Sequence, residues 1–125
     1  MKISIISASH RTNSQSKRIS DLLHKNLLNN KSGLEMFSLD LADASLPLWS
    51  PDKKNGKGVW GQTWGSISDK LRQSDGFIFV VPEYGGMATP AAKNFFLLCG
   101  NGELSHKPGL IVSVSSGNGG AYPIT

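Results

Sequence analysis

Short hydrophobic runs alternate along this chain with longer segments in which apolar residues recur every three or four positions. The runs predict β-strands, and the longer segments predict amphipathic helices. The predicted strands are Lys2–Ser7, Leu34–Leu39, Phe77–Val81 and Gly109–Ser115. The predicted helices follow Ser14, span Val59–Gln73 and span Thr89–Leu98. Strands that alternate with helices are typical of an α/β domain built on a parallel sheet.

The run Phe77–Val81 is the centre of this pattern. It is apolar at every position and lacks the alternation of a half-solvated strand, so helices are expected to cover both faces. Pro82 has no N–H to donate and is expected to end the strand. Tyr84 then offers a ring face for stacking, and Gly85 and Gly86 let the backbone approach a ligand closely. Since ligands of parallel sheets bind outside the carboxyl ends of the strands, a flat ligand is one interpretation and an ordinary turn is the other.

The loop after the first predicted strand is rich in hydroxyl groups. Asn13 or Ser14 is expected to cap the helix that follows. The first-turn N–H groups of that helix are expected to form an anion site, to which the side chains of Ser9, Ser14, Ser16 and Arg11 would contribute. Neither the G-x-G-x-x-G pattern of dinucleotide sites nor the G-x-x-x-x-G-K pattern of triphosphate sites is present, so a terminal monophosphate is favoured. The alternative is that these serines only cap the helix.

A glycine-rich loop, Ser116–Gly120, follows the last predicted strand. The strand itself, Gly109–Ser115, is an apolar run and is predicted to be buried. The carboxyl ends of parallel strands meet at one edge of a sheet. We therefore expect this loop to converge with the hydroxyl-rich first loop and with the Tyr84 loop.

Composition limits the classes of protein to consider. With 125 residues, 38% of them hydrophobic and 18% charged, the chain is predicted to form a single soluble domain, residues 1–125. No apolar stretch is long enough to span a membrane, and the N-terminal run is interrupted by serines, unlike a signal peptide. The single Cys99 excludes an internal disulfide and favours a cytoplasmic location. The net charge of +4 is scattered, which favours small anionic ligands over nucleic acid.

Several common kinds of catalytic site find no support. His10, His24 and His106 have no metal-ligand spacing, and Cys99 has no neighbouring histidine. Ser9 lacks the G-x-S-x-G pattern of a serine hydrolase. The tryptophans either pack in the core or shape a pocket or subunit contact; they are Trp49, Trp60 and Trp64.

Taken together and in this order along the chain, the loops resemble those of the NADPH-dependent FMN reductase family, which includes quinone, azo-dye and chromate reductases. The family pattern G-S-x-R-x-x-S is similar to Ala8–Ser14, and P-E-Y-N followed by proline and Lys-Asn is similar to Pro82–Gly85 with Pro90, Lys93 and Asn94. The family's third glycine loop and the loop after its second strand are similar to Ser115–Gly120 and Leu46–Asp52. Ala8 stands where the family has glycine, and Gly85 where it has asparagine.

The resemblance implies a flavodoxin-like, doubly wound parallel sheet of strand order 2-1-3-4 with the usual fifth strand missing. It implies bound FMN, with NADPH or NADH as co-substrate, and hydride transfer to a small acceptor such as a quinone, an azo compound, free flavin or a metal oxyanion. No side chain is expected to act as a catalytic acid or base. The implied FMN-binding residues are Ser9, Arg11, Ser14, Gln15, Ser16, Pro82, Glu83, Tyr84, Gly85, Gly86, Ser115, Gly117, Asn118, Gly119 and Gly120.

Two other functions stay open. A flavodoxin-type electron carrier would bind FMN without oxidising nicotinamide, but such carriers are strongly acidic and this chain is basic. A non-catalytic scaffold would keep the fold without the flavin. Because family members continue beyond position 125, we expect Leu110–Val114 to form an open sheet edge and the chain to form homo-oligomers or to bind a partner there.

Overall fold

The computed structural model describes residues 1–124. Its strands are β1 (Lys2–Ser7), β2 (Glu35–Asp40), β3 (Gly76–Tyr84), β4 (Met87–Ala88) and β5 (Gly109–Val114). Its α-helices are α1 (Gln15–Asn30), α2 (Gly65–Gln73) and α3 (Pro90–Leu98). Short 3₁₀ turns cover Pro51–Asn55 and Tyr122–Ile124, and a wider π turn, Trp60–Trp64, leads into α2.

The sheet confirms the predicted doubly wound, flavodoxin-like arrangement. Strands β2, β1, β3 and β5 lie side by side in that order and are parallel. The predicted fourth strand is β5 in chain order, because the two-residue β4 pairs antiparallel with the end of β3 in a hairpin. As a result, the loops that leave β1, β3 and β5 all start at the same edge of the sheet.

Helices cover both faces of the central strands, as the continuous apolar run predicted. On one face α1 packs through Ile19 and Leu23 against a cluster centred on Ile5 and Val80. On the other face α2 and α3 pack against the larger cluster, whose buried members include Phe79, Trp64 and Phe95. Trp64 is therefore a core residue.

Capping residues fix where two of the helices begin. The Ser14 hydroxyl accepts a hydrogen bond from the Lys17 N–H at the start of α1, at 3.1 Å. The Thr89 hydroxyl accepts one from the Ala92 N–H at 3.0 Å, and Pro90 occupies the first turn of α3. These interactions confirm the predicted caps and place both helix starts at the same edge of the sheet as the loops.

Pro82 does not end β3, contrary to the prediction. The strand continues to Tyr84, and Pro82 pairs with Val114 of β5. The Val80 carbonyl faces β1, because it accepts a hydrogen bond from the Ala8 N–H at 2.9 Å. Two residues later Pro82 faces the same side, where β1 has already ended at Ser7. Its missing N–H therefore leaves no partner unsatisfied.

Strand β5 is not buried, which corrects a second prediction. Leu110 is 57% exposed and Ile111 is 46% exposed, so neither face is covered at the start of the strand. Within residues 1–124, β5 pairs with β3 alone. The apolar run correctly predicted a strand, and the expected open edge at Leu110–Val114 is present in the described chain.

Candidate functional site

The loop after β1 is fixed to the β3–β4 hairpin by a pair of hydroxyl groups. Ser9 Oγ and Tyr84 Oη lie 2.6 Å apart, and Ser9 is fully buried. Ser9 Oγ also accepts a hydrogen bond from the Arg11 N–H at 3.1 Å. The exposed His10 ring meets the Tyr84 ring edge to face, with centroids 5.2 Å apart. The two loops therefore form one structural unit.

The same loop is also tied to the start of α3. Thr89 is fully buried, and its hydroxyl donates a hydrogen bond to the Ala8 carbonyl. Because Thr89 caps α3 as well, the position of that helix depends directly on the exit of β1. The two sides of the cleft between the first loop and α3 are thus connected directly by this hydrogen bond.

The third loop, Ser116–Gly120, is connected to the unit formed by the first loop and the hairpin through the residues that follow Gly120. Ser113 Oγ donates a hydrogen bond to the Gly120 carbonyl, which folds the loop back beside β5. The turn Tyr122–Ile124 then packs against β4, with Pro123 buried. Tyr122 thereby reaches a cavity of about 490 Å³, which it lines together with residues of the first loop, the hairpin and α3: His10, Tyr84, Gly86, Met87, Ala88, Pro90 and Lys93.

The start of α1 has the features of a phosphate site. No acidic residue occupies its first turn. Ser16 is buried, and its hydroxyl has no hydrogen-bond partner within residues 1–124. Ser7 and Ser20 are also buried without a hydrogen-bond partner within these residues, so it is the place of Ser16 in the first turn of α1 that favours a ligand oxygen there. Arg11 and Gln15 are exposed beside it.

The glycines of the hairpin leave room for a flat ligand. Gly85 and Gly86 have φ values of +60° and +76°, which are typical of the central residues of a type I′ turn. A Cβ built on either glycine would have nothing within 4 Å, and the same is true of Gly119 in the third loop. These backbones therefore border open space that a side chain would otherwise fill.

The structure places some of the predicted site residues at the 490 Å³ cavity and others outside it. Tyr84 and Gly86 line the 490 Å³ cavity, whereas the predicted phosphate-binding residues of α1 lie outside its lining. Gly117, Asn118 and Gly119 are exposed, and the Gly117 N–H donates a hydrogen bond to Ser115 Oγ at 3.1 Å. Pro82 is buried in β3, and Glu83 is half-buried beside it.

Several residues that line this cavity were not predicted from the sequence to have a role. His10 had a detectable signal, because it lies between Ser9 and Arg11 in the loop already singled out. Lys93 had a weaker one, from its place in the motif after Pro90. Tyr122 had none, because the reversal of the chain at Gly120 brings it to the cleft.

Cys99 is unsuited to act as a nucleophile. Burial, reinforced by the negative charge of Glu103, raises the pKa of the Cys99 thiol to about 12. The thiol is therefore protonated at neutral pH, and the thiolate is the reactive form.

Among residues 1–124, no three His, Cys, Asp or Glu side chains are grouped so that they could hold a metal ion. In the same part of the chain, no helix has the length and apolar character needed to cross a membrane.

A family model described as NADPH-dependent FMN reductase matches residues 1–123 of the chain. No match was found among curated proteins. Among solved structures, the chain is similar to the apo form of the NADH:FMN oxidoreductase EmoB, with 20% identity and a TM-score of 0.72 over 97% of this chain and 60% of that one.

Two further solved structures are similar. The flavoenzyme NAD(P)H:(acceptor) oxidoreductase FerB from Paracoccus denitrificans is 20% identical, with a TM-score of 0.72 over 98% of this chain and 65% of that one. An oxidoreductase from Corynebacterium diphtheriae is 22% identical, with a TM-score of 0.69 over 88% of this chain and 61% of that one. Likeness at these identities shows the fold. The chain thus spans between 60% and 65% of the length of these proteins.

Proposed function

The chain belongs to the NADPH-dependent FMN reductase family, and on that premise we propose that it binds FMN and transfers reducing equivalents from NADPH or NADH to a small acceptor. The observation that carries the proposal is the hydrogen bond between Ser9 and Tyr84. This hydrogen bond joins the loop after β1, which is proposed to bind a phosphate, to the β3–β4 hairpin, which is proposed to contact a flat ring. A ligand that carries both groups would span this junction.

The phosphate is proposed to lie at the start of α1. There the free N–H groups of the first turn and the helix dipole attract an anion. Arg11 supplies a full positive charge, and Ser16 supplies a buried hydroxyl that has no hydrogen-bond partner within residues 1–124. Ser14 and Gln15 complete this proposed set, and Ser9 is proposed to contribute to FMN binding by holding Tyr84 in place.

The ring is proposed to lie beside the hairpin and the third loop. Gly85 and Gly86 allow close approach of the backbone, and Tyr84 provides an aromatic wall held in place by Ser9. The other proposed ring contacts are Pro82, Glu83, Ser115, Gly117, Asn118, Gly119 and Gly120. Bound FMN would supply the redox chemistry, because it accepts hydride from a nicotinamide and passes electrons to an acceptor. The residues of this chain bind and orient the groups.

The acceptor is proposed to be a quinone, an azo compound, free flavin or a metal oxyanion. The basic net charge of +4 supports a reductase over an acidic electron carrier of the flavodoxin type. We further propose a cytoplasmic location, supported by the single cysteine, and a homo-oligomer, supported by the exposed apolar side chains at the start of β5.

An activity measurement tests the proposal. The chain is reconstituted with FMN, and oxidation of NADPH and of NADH is followed with ferricyanide, a hydrophilic acceptor that needs no apolar pocket. We expect oxidation that depends on both the protein and FMN. If nicotinamide oxidation does not exceed that of free FMN, the reductase assignment is wrong for this chain. Binding of FMN without nicotinamide oxidation would favour the electron carrier.

A further inference from the structure

A groove of about 290 Å³ lies beside the C-terminal end of α3. It is lined by residues of the segment after β2, of α3 and of the turn that follows α3, among them Trp49, Pro51, Lys53, Lys54, Leu97 and Asn101. None of these residues lines the 490 Å³ cavity, which lies at the other end of α3, beside Pro90 and Lys93. The groove is therefore separate from the proposed flavin site.

Two apolar side chains on the walls of this groove are exposed. Trp49 is 46% exposed, whereas Trp64, which packs in the core, is only 3% exposed. Leu97 of α3, on the other wall, is 57% exposed. A single exposed apolar residue is ordinary on a protein surface. Two that line the same groove, one of them a tryptophan, form an apolar surface against which an aromatic ring can pack.

The wall that carries Trp49 is bound to α3 at two points. The Trp49 N–H donates a hydrogen bond to Asn94 Oδ1 at 2.7 Å. Four residues later, Lys53 Nζ donates a hydrogen bond to the Leu98 carbonyl, in the last turn of α3. The second of these contacts lies within the 3₁₀ turn Pro51–Asn55, so the backbone along this wall is ordered. The groove is therefore already formed without a ligand.

The charges around the groove favour an anion. None of the described residues that line it is Asp or Glu. A helix C-terminus normally repels an anion, but here the Lys53 ammonium already binds the Leu98 carbonyl and compensates for the helix dipole. Lys54 is exposed and makes no hydrogen bond or ion pair within residues 1–124. The exposed amide of Asn101 adds a further hydrogen-bond donor.

We propose that this groove is a binding site for a small aromatic carboxylate, whose ring packs against Trp49 and Leu97 and whose carboxylate is bound by Lys54. The volume of about 290 Å³ is at the small end for small-molecule sites, which suits one or two rings. A neutral ring would leave the charge of Lys54 without a partner, and an inorganic anion would leave the apolar walls uncovered. This binding does not depend on the proposed reductase function.

Equilibrium dialysis of the chain against 2-naphthoate, with and without saturating FMN, tests this site. We expect one 2-naphthoate to bind per chain under both conditions. Lys54→Gln should weaken binding by about threefold to tenfold, because it removes the charge that pairs with the carboxylate. Lys57→Gln is the matched control, since Lys57 is an exposed lysine of the same loop that lies outside the groove lining. The control should bind as the wild type does.

A second pair of measurements tests the apolar wall and the charge separately. Trp49→Leu keeps an apolar side chain and the backbone N–H that binds Asn94, but it removes the indole ring. It should weaken 2-naphthoate by about threefold to tenfold, while circular dichroism shows an intact fold. The neutral analogue 2-naphthalenemethanol should bind the wild type more weakly than 2-naphthoate does. Its affinity should not change in Lys54→Gln.

Three results would overturn the site. The first is the absence of 2-naphthoate binding to the wild type. The second is an equal loss for Lys54→Gln and Lys57→Gln, or no loss for Trp49→Leu. The third is displacement of 2-naphthoate by FMN, which would place the probe at the flavin site instead. One 2-naphthoate per chain that FMN does not displace, with losses confined to the Lys54 and Trp49 variants, supports the site whether or not nicotinamide is oxidised.

Discussion

Ser9 Oγ and Tyr84 Oη are 2.6 Å apart, and this contact joins the exit of β1 to the hairpin that ends β3. Ser9 is fully buried, and its hydroxyl also accepts a hydrogen bond from the Arg11 N–H. In this geometry Ser9 holds the tyrosine ring and the following backbone in position. If Ser9 contacted the phosphate directly, its substitution would weaken FMN binding alone. If Ser9 supports the ring, its substitution weakens the binding of FMN and of riboflavin.

Loss of the Ser9–Tyr84 hydrogen bond should affect ring binding more than phosphate binding. Ser9→Ala and Tyr84→Phe each remove one hydroxyl, and each should lower the free energy of unfolding by about 0.5–1.5 kcal/mol. The double variant should lose less than the sum, because both changes remove the same bond. Both single variants should weaken FMN and riboflavin to a similar extent in fluorescence titrations. A loss for FMN alone would assign Ser9 to the phosphate.

Arg11 is expected to recognise the phosphate. Arg11→Ala should weaken FMN binding by about 1–3 kcal/mol, the scale of a lost charge-assisted hydrogen bond, and leave riboflavin nearly unchanged. Lys25→Ala is the control, since Lys25 is an exposed cation in the middle of α1, away from its first turn. Equal losses for FMN and riboflavin would place the phosphate elsewhere.

Gly86 is proposed to have two separable roles, one in the turn and one toward a ligand. Its φ of +76° strains any other residue, so Gly86→Ala should destabilise the fold by about 1–2 kcal/mol. Gly33→Ala is a matched control, because Gly33 has a φ of +74° and equally open space around its Cβ position. Both variants should lose similar stability in urea unfolding. Only Gly86→Ala should also weaken FMN, and a similar loss from Gly33→Ala would contradict this assignment.

Glu103 is a buried carboxylate that stabilises the fold from the end of α3. Ser68 Oγ and the Asn101 N–H donate hydrogen bonds to its two oxygens, each at 2.8 Å, and Arg72 Nη2 lies 3.7 Å away. Burial alone would raise the pKa of Glu103. The hydrogen bond from Ser68, those from backbone N–H groups and the charge of Lys53 outweigh burial, and the pKa falls below its usual 4.5.

The lowered pKa of Glu103 gives a pH dependence with a definite sign. Its stabilising contribution is complete above the unfolded-state pKa and is lost as pH falls through the lower folded-state pKa. Glu103→Gln should therefore lower the free energy of unfolding by about 2 kcal/mol at pH 7. The difference from wild type should shrink in urea unfolding as pH falls below about 4. A difference that stays constant down to pH 3 would mean that the charge contributes nothing.

The exposed start of β5 should cause self-association. Leu110 presents an apolar side chain beside a strand that pairs on one side only within the described residues. Leu110→Lys should shift sedimentation equilibrium toward the monomer, and Leu22→Lys should not, although Leu22 is exposed to a similar extent, at 58%, on α1. A wild-type chain that stays monomeric at high concentration would contradict this prediction.

The sequence predicted local features well and tertiary placement less well. Ser14 and Thr89 were recognised as caps because capping depends on hydrogen bonds within one turn. The end of β3 was misplaced, because the effect of Pro82 depends on where β1 stops. Burial of β5 was wrong, because an apolar run shows which residues favour burial and not which elements cover them. Tyr122 could not be predicted, because a long-range reversal of the chain places it.

Titration of the chain with FMN and with riboflavin, followed by quenching of flavin fluorescence, tests the central claim most directly. If one site binds the ring and an adjoining site binds the phosphate, one FMN should bind per chain. Riboflavin should bind at the same stoichiometry but more weakly, by about tenfold or more. Equal affinity for the two flavins would contradict the phosphate site at the start of α1. No quenching with either flavin would contradict the flavin site as a whole.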